Sequence, residues 1–423
     1  MTEGPKNLSV KEAKALPALL KMMEKANIEP GYIKKKKAFD PNRKRKRLVD
    51  YHTNVLKGLL KKLAVIRDNS DANFRTKKVE TLSGPCKRAS VTKTFAKGQI
   101  PEFPTSIQSK TSVKSPAGDP DLPNIDASVS KQLRELIMKV SRWYRDDRPF
   151  HTFEHASHTV LSVTKFVSAI KTNDSTDDRV LNMIKSMITH PLTQFVLIFA
   201  ALVHDTGDET VGEPRLVAAE KSTRRAWSLF LDPAFSDLRS CVCKNRSDLE
   251  FFRRLLGKSI TAVKSEAADA IQNSDEGSSI DWSRPGKTST SIESQVASRK
   301  AMAIIETLLR VSDVSYSIQH FPVFKKWNKL LFQEDYAAYK FEIKTDEEDT
   351  NKDPSLTWYE RELESFDDRI LLVRELRDSG VFNKLADVYL STAIANRREW
   401  KEKGELMIQE YLFSSKRRNS GKT

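Results

Sequence analysis

Three short segments of this 423-residue chain carry side chains that could bind a metal ion. The first holds three histidines, His151, His155 and His158, spaced so that a helix would place all three imidazoles on one face. The residues that continue this face are apolar, so at least His155 should point toward a core. Three histidines on a buried face favour a metal site; hydrogen bonding at a helix start is the alternative reading.

The second segment is the pair His204-Asp205, which follows the most apolar run in the chain, residues 195–203. This run is too short to span a membrane, so we expect a buried helix. A His-Asp pair at the end of a buried helix is unfavourable unless another charge compensates it, and a metal ion would do so. An ordinary helix C-cap is the alternative.

The third segment contains Asp313, one helical turn after Leu309 on an apolar stripe. An unpaired carboxylate there would be costly or would take up a proton, and a buried salt bridge is the alternative to a metal. Together the three segments offer imidazole nitrogens and carboxylate oxygens from three predicted helices. This donor set suits zinc, and its carboxylates suit a harder second cation as well.

The elements that must position these residues are all predicted to be helices. A one-sided apolar stripe begins near Leu133, with Asp126 and Ser128 as the predicted caps. Further helical stretches are predicted at residues 152–171, 178–189, 192–203, 223–231, 248–264, 296–318, 322–340, 357–378 and 382–412. The predicted fold class is therefore all-α, a compact multi-helix domain over residues 126–413. Loops are predicted at 273–294 and 345–353, and a basic tail at 414–423.

The first 125 residues differ from the rest of the chain in charge. They contain 27 Lys and Arg against 12 Asp and Glu, an excess equal to the net charge of the whole chain, +15. Basic runs at 34–37 and 43–47 (Lys34 to Arg47) could attract an anionic membrane surface or a nuclear import factor; a solvated, flexible extension is the simpler alternative. Residues 47–67 predict an amphipathic helix that could form a homodimer or pack on the body, and 81–125 predict a linker.

Composition excludes several classes of protein. The three cysteines cannot make a disulfide framework, which favours a reducing intracellular compartment. No signal-peptide layout and no transmembrane run is present in the sequence. We expect a cytoplasmic protein, with nuclear or membrane-peripheral location as alternatives through the basic runs.

The metal-compatible segments resemble the signature motifs of one enzyme family. They are similar, in order and spacing, to motifs of the catalytic domain of class I 3′,5′-cyclic nucleotide phosphodiesterases, as found in algae and other microbial eukaryotes, within the His-Asp (HD) metal hydrolase superfamily. The matching residues are 150–156 (FHTFEHA), 199–205 (FAALVHD), 309–315 (LRVSDVS) and, in the substrate pocket, 358–362 (WYERE) with 366–367 (FD). The resemblance spans residues 130–412 and implies the family's all-helical fold.

The resemblance also implies an activity and roles for individual residues. The implied reaction is hydrolysis of cAMP, cGMP or both to 5′-nucleoside monophosphates in intracellular signalling. The implied ligands of a tightly bound zinc are His155, His204, Asp205 and Asp313. Asp205 would bridge to a second ion, Mg²⁺ or Mn²⁺, and His151 would protonate the departing 3′ oxygen. Glu362 and Phe366 would bind the purine.

The chain departs from the family pattern at several positions. Asp208 stands where a second histidine is usual, and the segment 213–225 is shorter than usual. Lys264 replaces a common aspartate, and a lysine beside two cations would repel them. Ser365 replaces the phenylalanine that clamps the base, with Phe366 as the predicted substitute. Loss of an aromatic stack costs on the order of 1–3 kcal/mol of base binding.

These departures leave two classes of function open. The first is an active metal-dependent phosphodiesterase with altered supporting residues. The second is a catalytically impaired pseudo-phosphodiesterase that binds a nucleotide or a partner. Retention of all four implied ligands and of His151 favours activity. A different His-Asp hydrolase, acting on a nucleoside triphosphate or alarmone, is disfavoured by the H-x-x-x-H spacing and by the C-terminal segment.

Overall fold

The structure is a computed structural model. The residues that it describes are 41–76, 123–171, 178–207, 214–264, 292–342, 353–382 and 384–420. Every regular element within these ranges is helical, which confirms the all-α prediction. The α-helices are α1 Pro41–Thr76, α2 Ala127–Trp143, α3 Phe153–Ala169, α4 Arg179–Thr189, α5 Pro191–Val203, α6 Arg215–Leu231, α7 Ser236–Val242, α8 Arg246–Lys264, α9 Ile292–Asp313, α10 Phe321–Glu342, α11 Pro354–Asp378 and α12 Lys384–Ser420.

Helix boundaries follow the local sequence. Asp126 caps α2, because its Oδ1 accepts a hydrogen bond at 2.6 Å from the backbone N–H two residues on. Pro191 opens α5, where a missing N–H leaves no helical hydrogen bond unmade. Gly380 lies between α11 and α12 with φ of 70°, a conformation that side chains with a Cβ rarely adopt.

Two apolar clusters form the interior of the body. The larger one surrounds α5, of which every residue except Gln194 is buried. The smaller one is aromatic and lies among α10, α11 and α12, with Trp327, Trp358 and Trp400 as its largest members. Among the described residues no single helix is long and apolar enough to cross a membrane, although α4 and α5, bent by 58° relative to each other, pass that test as a pair.

Helix α1 belongs to the packed body rather than to a flexible extension. The compact unit begins at Arg45, earlier than the predicted boundary at residue 126, and α1 is longer than the predicted helix 47–67. The reason is the apolar stripe of α1, whose residues Leu56, Leu60 and Leu63 are buried in the larger cluster.

Polar contacts also tie α1 to the body. Arg45 pairs with Asp146, and Arg67 donates at 2.8 Å to a carbonyl at the end of α7. Midway along α1, His52 Nε2 lies 2.8 Å from the Ser157 hydroxyl on α3. Burial lowers the pKa of His52 to about 3, so this imidazole is neutral at pH 7. Helix α1 therefore contacts the helix that carries His155.

Several predicted features lie outside the described residues. They are the basic run 34–37, most of the linker 81–125, the loop residues 273–291 and 345–352, the end of the tail at 421–423, and Asp208. The start of the predicted tail is part of α12, which continues to Ser420.

We expect the packing of α1 to stabilise the whole domain. Leu60→Ala removes a fully buried side chain and should lower the free energy of unfolding by ~2–5 kcal/mol. Asn54→Ala, on the exposed face of the same helix, should change it by less than about 0.5 kcal/mol. Urea unfolding of the full chain measures both, and equal effects would show that α1 is not packed on the body.

Candidate metal centre

The four predicted ligands lie together in one cluster. Each offers one ligand atom, and the four atoms lie within 4.8 Å of one another. His155 Nε2, on α3, is 3.0 Å from Asp313 Oδ1, on the last residue of α9, and 3.8 Å from Asp205 Oδ2. His204 Nε2, just after α5, is 2.9 Å from Asp205 Oδ2 and 3.0 Å from Asp313 Oδ1. Three helices thus bring two imidazoles and two carboxylates to one point, and their role as ligands stays a prediction.

The donor set fits a divalent cation. His204 Nδ1 donates to the Ala201 carbonyl at 3.0 Å, which leaves Nε2 as the ring nitrogen that faces the cluster. The buried atoms His204 Nε2 and Asp205 Oδ2 lie 2.9 Å apart, but among the described residues neither makes a hydrogen bond of good geometry. Buried polar atoms without a partner are unfavourable, and a cation between them would satisfy both. Two imidazole nitrogens and two carboxylate oxygens form a donor set that suits zinc.

The charges of the cluster depend on one another. Burial would lower the pKa of His204, but Asp205 and Asp313 outweigh it and raise that pKa to about 10. Burial would raise the pKa of Asp313, but His204 and His155 hold it well below its usual range. His204 therefore carries a proton opposite two ionised carboxylates. A divalent cation would supply positive charge in place of this proton and displace it.

The turn after α5 fixes the direction of His204 and Asp205. The Ser222 hydroxyl, on α6, donates to the His204 carbonyl at 2.9 Å and accepts the Gly207 N–H at 2.7 Å. Gly207 packs so closely on α6 that a Cβ would collide with the Ala218 carbonyl oxygen. Only glycine allows this close approach of two backbones. The turn is therefore set by packing as well as by hydrogen bonds.

His151 does not lie on the helical face where its spacing predicted it. Helix α3 begins at Phe153, so His151 precedes the helix and approaches the cluster from the preceding turn. Of the three histidines, only His155 and His158 share the helix. The His158 ring packs 4.8 Å from the Trp327 ring and is outside the four-residue cluster. Spacing alone cannot distinguish a helical residue from one just before the cap.

Glu334, on α10, holds His151 in place. Its Oε1 lies 2.6 Å from His151 Nδ1, and its Oε2 accepts the backbone N–H groups of Phe150 and His151 at 2.8 and 3.1 Å. Burial would lower the pKa of His151, but the hydrogen bond to Glu334 and the charge of Asp205 raise it above its usual value. Glu334 is 183 residues away along the chain, and no motif marks it in the sequence.

Lys264, the last residue of α8, contacts the cluster directly. Its Nζ donates to Asp205 Oδ1 at 2.6 Å, and its side chain is only 11% exposed. Burial would raise the pKa of Asp205, but the charges of His204 and Lys264 hold it well below its usual range. Lys264 also acts to lower the pKa of His151. The ammonium thus contacts a predicted ligand, and its charge also acts on the predicted acid.

Glu362 is one of the two predicted purine-binding residues. It is buried beside the smaller core cluster, and both of its carboxylate oxygens have protein partners. Its side chain is 4% exposed, Oε1 pairs with Arg369, and Oε2 accepts from the Asn328 amide at 2.8 Å. Asn328 in turn accepts from the Trp358 indole at 3.2 Å. A base that binds through Glu362 must therefore replace one of these contacts.

Phe366, the other predicted purine-binding residue, is completely buried, with its ring 4.9 Å from that of Phe324. Neither it nor Glu362 belongs to the metal cluster. The link between the two regions is Tyr316, whose hydroxyl lies 3.5 Å from Arg369 and whose ring lies 6.3 Å from that of His155. The structure thus brings the predicted ligands together but leaves the predicted base pocket closed by its own side chains.

We expect a divalent ion to stabilise the folded protein through this cluster. Zn²⁺ at 100 times its Kd should add about 2.7 kcal/mol to the free energy of unfolding and raise the melting temperature. His155→Ala and Asp313→Ala should abolish this increase. His320→Ala, which changes an exposed histidine outside the cluster, should retain it. An undiminished increase in Asp313→Ala would place the bound zinc elsewhere.

Comparison with known proteins finds similar solved structures, among which are two phosphodiesterase domains. No protein-family model matches the chain, and no curated protein is significantly similar to it. The phosphodiesterase domain of the RhoPDE fusion protein from the choanoflagellate Salpingoeca rosetta is 17% identical, with a TM-score of 0.48, over 68% of this chain and 86% of that chain. The phosphodiesterase domain of Salpingoeca rosetta rhodopsin phosphodiesterase is 16% identical, with a TM-score of 0.46, over 67% and 84%. So weak a likeness assigns no activity, which must come from the site itself.

Proposed function

We propose that this protein is a metal-dependent hydrolase that opens 3′,5′-cyclic nucleotides to 5′-nucleoside monophosphates. The observation that carries the proposal is the arrangement of two imidazoles and two carboxylates around one point, with His151 held beside them by Glu334. The segments that supply these residues are the ones that resemble class I cyclic nucleotide phosphodiesterases. That resemblance supports a cyclic nucleotide as the substrate.

The ligands proposed for the metal are His155, His204, Asp205 and Asp313. When bound, a divalent cation polarises a phosphoryl oxygen and lowers the pKa of water, which is the chemistry that phosphodiester hydrolysis needs. The protein encloses this point with aromatic rings: Phe150 and Trp327 lie 4.4 and 5.7 Å from the His155 ring. These rings exclude water from one side of the cluster, so that charge interactions there are strong.

His151 is the proposed general acid. As the bond between phosphorus and the 3′ oxygen breaks, that oxygen needs a proton. Glu334 occupies His151 Nδ1, so Nε2 is the nitrogen that donates. The raised pKa favours the protonated imidazole that a general acid needs, and its side chain is 27% exposed, so substrate and water can reach it. The attacking water then returns a proton to complete the cycle.

We expect the full chain with Zn²⁺ and either Mg²⁺ or Mn²⁺ to hydrolyse cAMP, cGMP or both. Asp313→Ala should abolish turnover, because it removes a proposed ligand. His151→Asn should lower kcat by roughly 10²–10⁴-fold while the stabilisation by Zn²⁺ remains. His320→Ala is the matched control and should behave as wild type. Absence of turnover in folded, metal-loaded wild type would reject the proposal.

Glu334→Gln tests the positioning of the acid. Because the general acid acts when protonated, kcat/KM should fall as pH rises through the pKa of His151. Glu334 raises that pKa, so the neutral glutamine should move this alkaline limb to lower pH. Glu360→Gln, an exposed change on α11, should leave the profile unmoved. If kcat/KM of Glu334→Gln were lower at every pH but its alkaline limb lay at the same pH as in wild type, this role would be contradicted.

The second candidate is a catalytically impaired domain that binds a nucleotide without turning it over. It is favoured by the pairing of Glu362 with Arg369 and Asn328, because the carboxylate predicted to orient the purine for hydrolysis is already occupied. Equilibrium dialysis with cAMP and cGMP separates the two candidates. Binding without turnover by metal-loaded protein would favour this one.

A further inference from the structure

The two carboxylate oxygens of Asp205 have different partners. Oδ2 faces the cluster, 2.9 Å from His204 Nε2 and 3.8 Å from His155 Nε2. Oδ1 faces the other way and accepts a hydrogen bond from Lys264 Nζ at 2.6 Å. The Asp205 side chain is only 2% exposed, so both contacts are shielded from water. A carboxylate that bridged two metal ions would use Oδ2 for one ion and Oδ1 for the other.

Helix α8 holds Lys264 in this position. Phe252, Leu256 and Ile260 are fully buried and spaced four residues apart, and Lys264 continues the same stripe at the helix end. Helix α8 also packs against α5 and α9, which lead to Asp205 and end at Asp313. The lysine is therefore directed inward by the packing of its helix rather than by chance contact of a surface side chain.

We infer that Lys264 takes the place of the second metal ion, and that the site binds one divalent cation per chain. Its ammonium already supplies positive charge to Asp205 Oδ1, the oxygen that a bridging role would give to the second ion. The family resemblance implies two metals; the residues of this chain fit the first and do not fit the second. Among the residues that the structure describes, a single group of side chains has the geometry for a metal ion.

The charge of the site agrees with one ion. Asp205 and Asp313 balance one divalent cation, and Lys264 then leaves one positive charge in excess. A second divalent cation on Oδ1 would have to displace Nζ from its hydrogen bond and remain close to it. Like charges at such a distance in a buried site repel strongly.

This inference rests on the metal site of the proposed function, but not on the identity of the substrate. The test is therefore a count of ions. The full-length protein is loaded with Zn²⁺ or Mn²⁺ and dialysed, and bound metal is measured by mass spectrometry, with Mn²⁺ titrations followed by calorimetry and electron paramagnetic resonance. Activity is measured on the same samples but does not decide the count.

We expect one ion per chain in wild type and in Lys264→Arg, which keeps the positive charge. Lys264→Met and Lys264→Asp free Asp205 Oδ1, and each should bind two ions, with a spin-coupled Mn²⁺ pair. Arg254→Met, an exposed change on the same helix, should still bind one. Urea unfolding confirms that each variant is folded. If one of the two charge-removing substitutions at position 264 prevents folding, the other still provides the ion count.

Other outcomes are distinguishable. Two ions in wild type, or one ion in both folded Lys264→Met and Lys264→Asp, would overturn the assignment of Lys264. No ion in wild type would overturn the metal site, and the assignment with it. One ion in wild type with two in the variants, but no turnover of cAMP or cGMP, would leave the assignment standing and reject only the proposed activity.

Discussion

The carboxylates of Asp205, which is buried, and Asp313, which is partly buried, are tolerated only because positive charge lies within hydrogen-bonding distance of both. That charge comes from the proton on His204 and from the ammonium of Lys264. Isolated charges at such depth would be strongly destabilising. The convergence of α3, α5, α8 and α9 thus has an electrostatic reason, because the end of α5 contributes two groups to the same charge balance and each of the other helices contributes one.

The helices and the ligand cluster could be predicted because their signals are local. Apolar periodicity identifies a helix wherever one face is buried, and the run before His204 indicates a buried helix from composition alone. Glu334 carries no such signal, since it meets His151 only through the fold. Lys264 carries two signals: the family resemblance puts it beside the predicted cations, and it continues a stripe of buried residues spaced four apart. Neither signal shows that it meets Asp205.

Other differences have equally simple physical causes. The spacing of His151 suits a helix, but the backbone turns just before Phe153, because Thr152 caps α3 with its side chain. The predicted base pocket is closed because Glu362 lies beside Arg369, a partner seven residues along the same helix. A buried carboxylate pairs with the nearest positively charged side chain, and sequence similarity does not identify that side chain.

Helix α1 changes what counts as the smallest independently folding unit of this protein. The motifs occupy residues 130–412, yet the protein interior is completed by leucines that precede them by some 70 residues of chain. A fragment that begins at the motif boundary would expose the apolar surface that α1 covers. It would also remove His52, the hydrogen-bond partner of the Ser157 hydroxyl, which lies two residues after His155. The domain boundary indicated by the motifs, near residue 130, therefore differs from the one indicated by packing, near Arg45. Recombinant fragments of this protein should include α1.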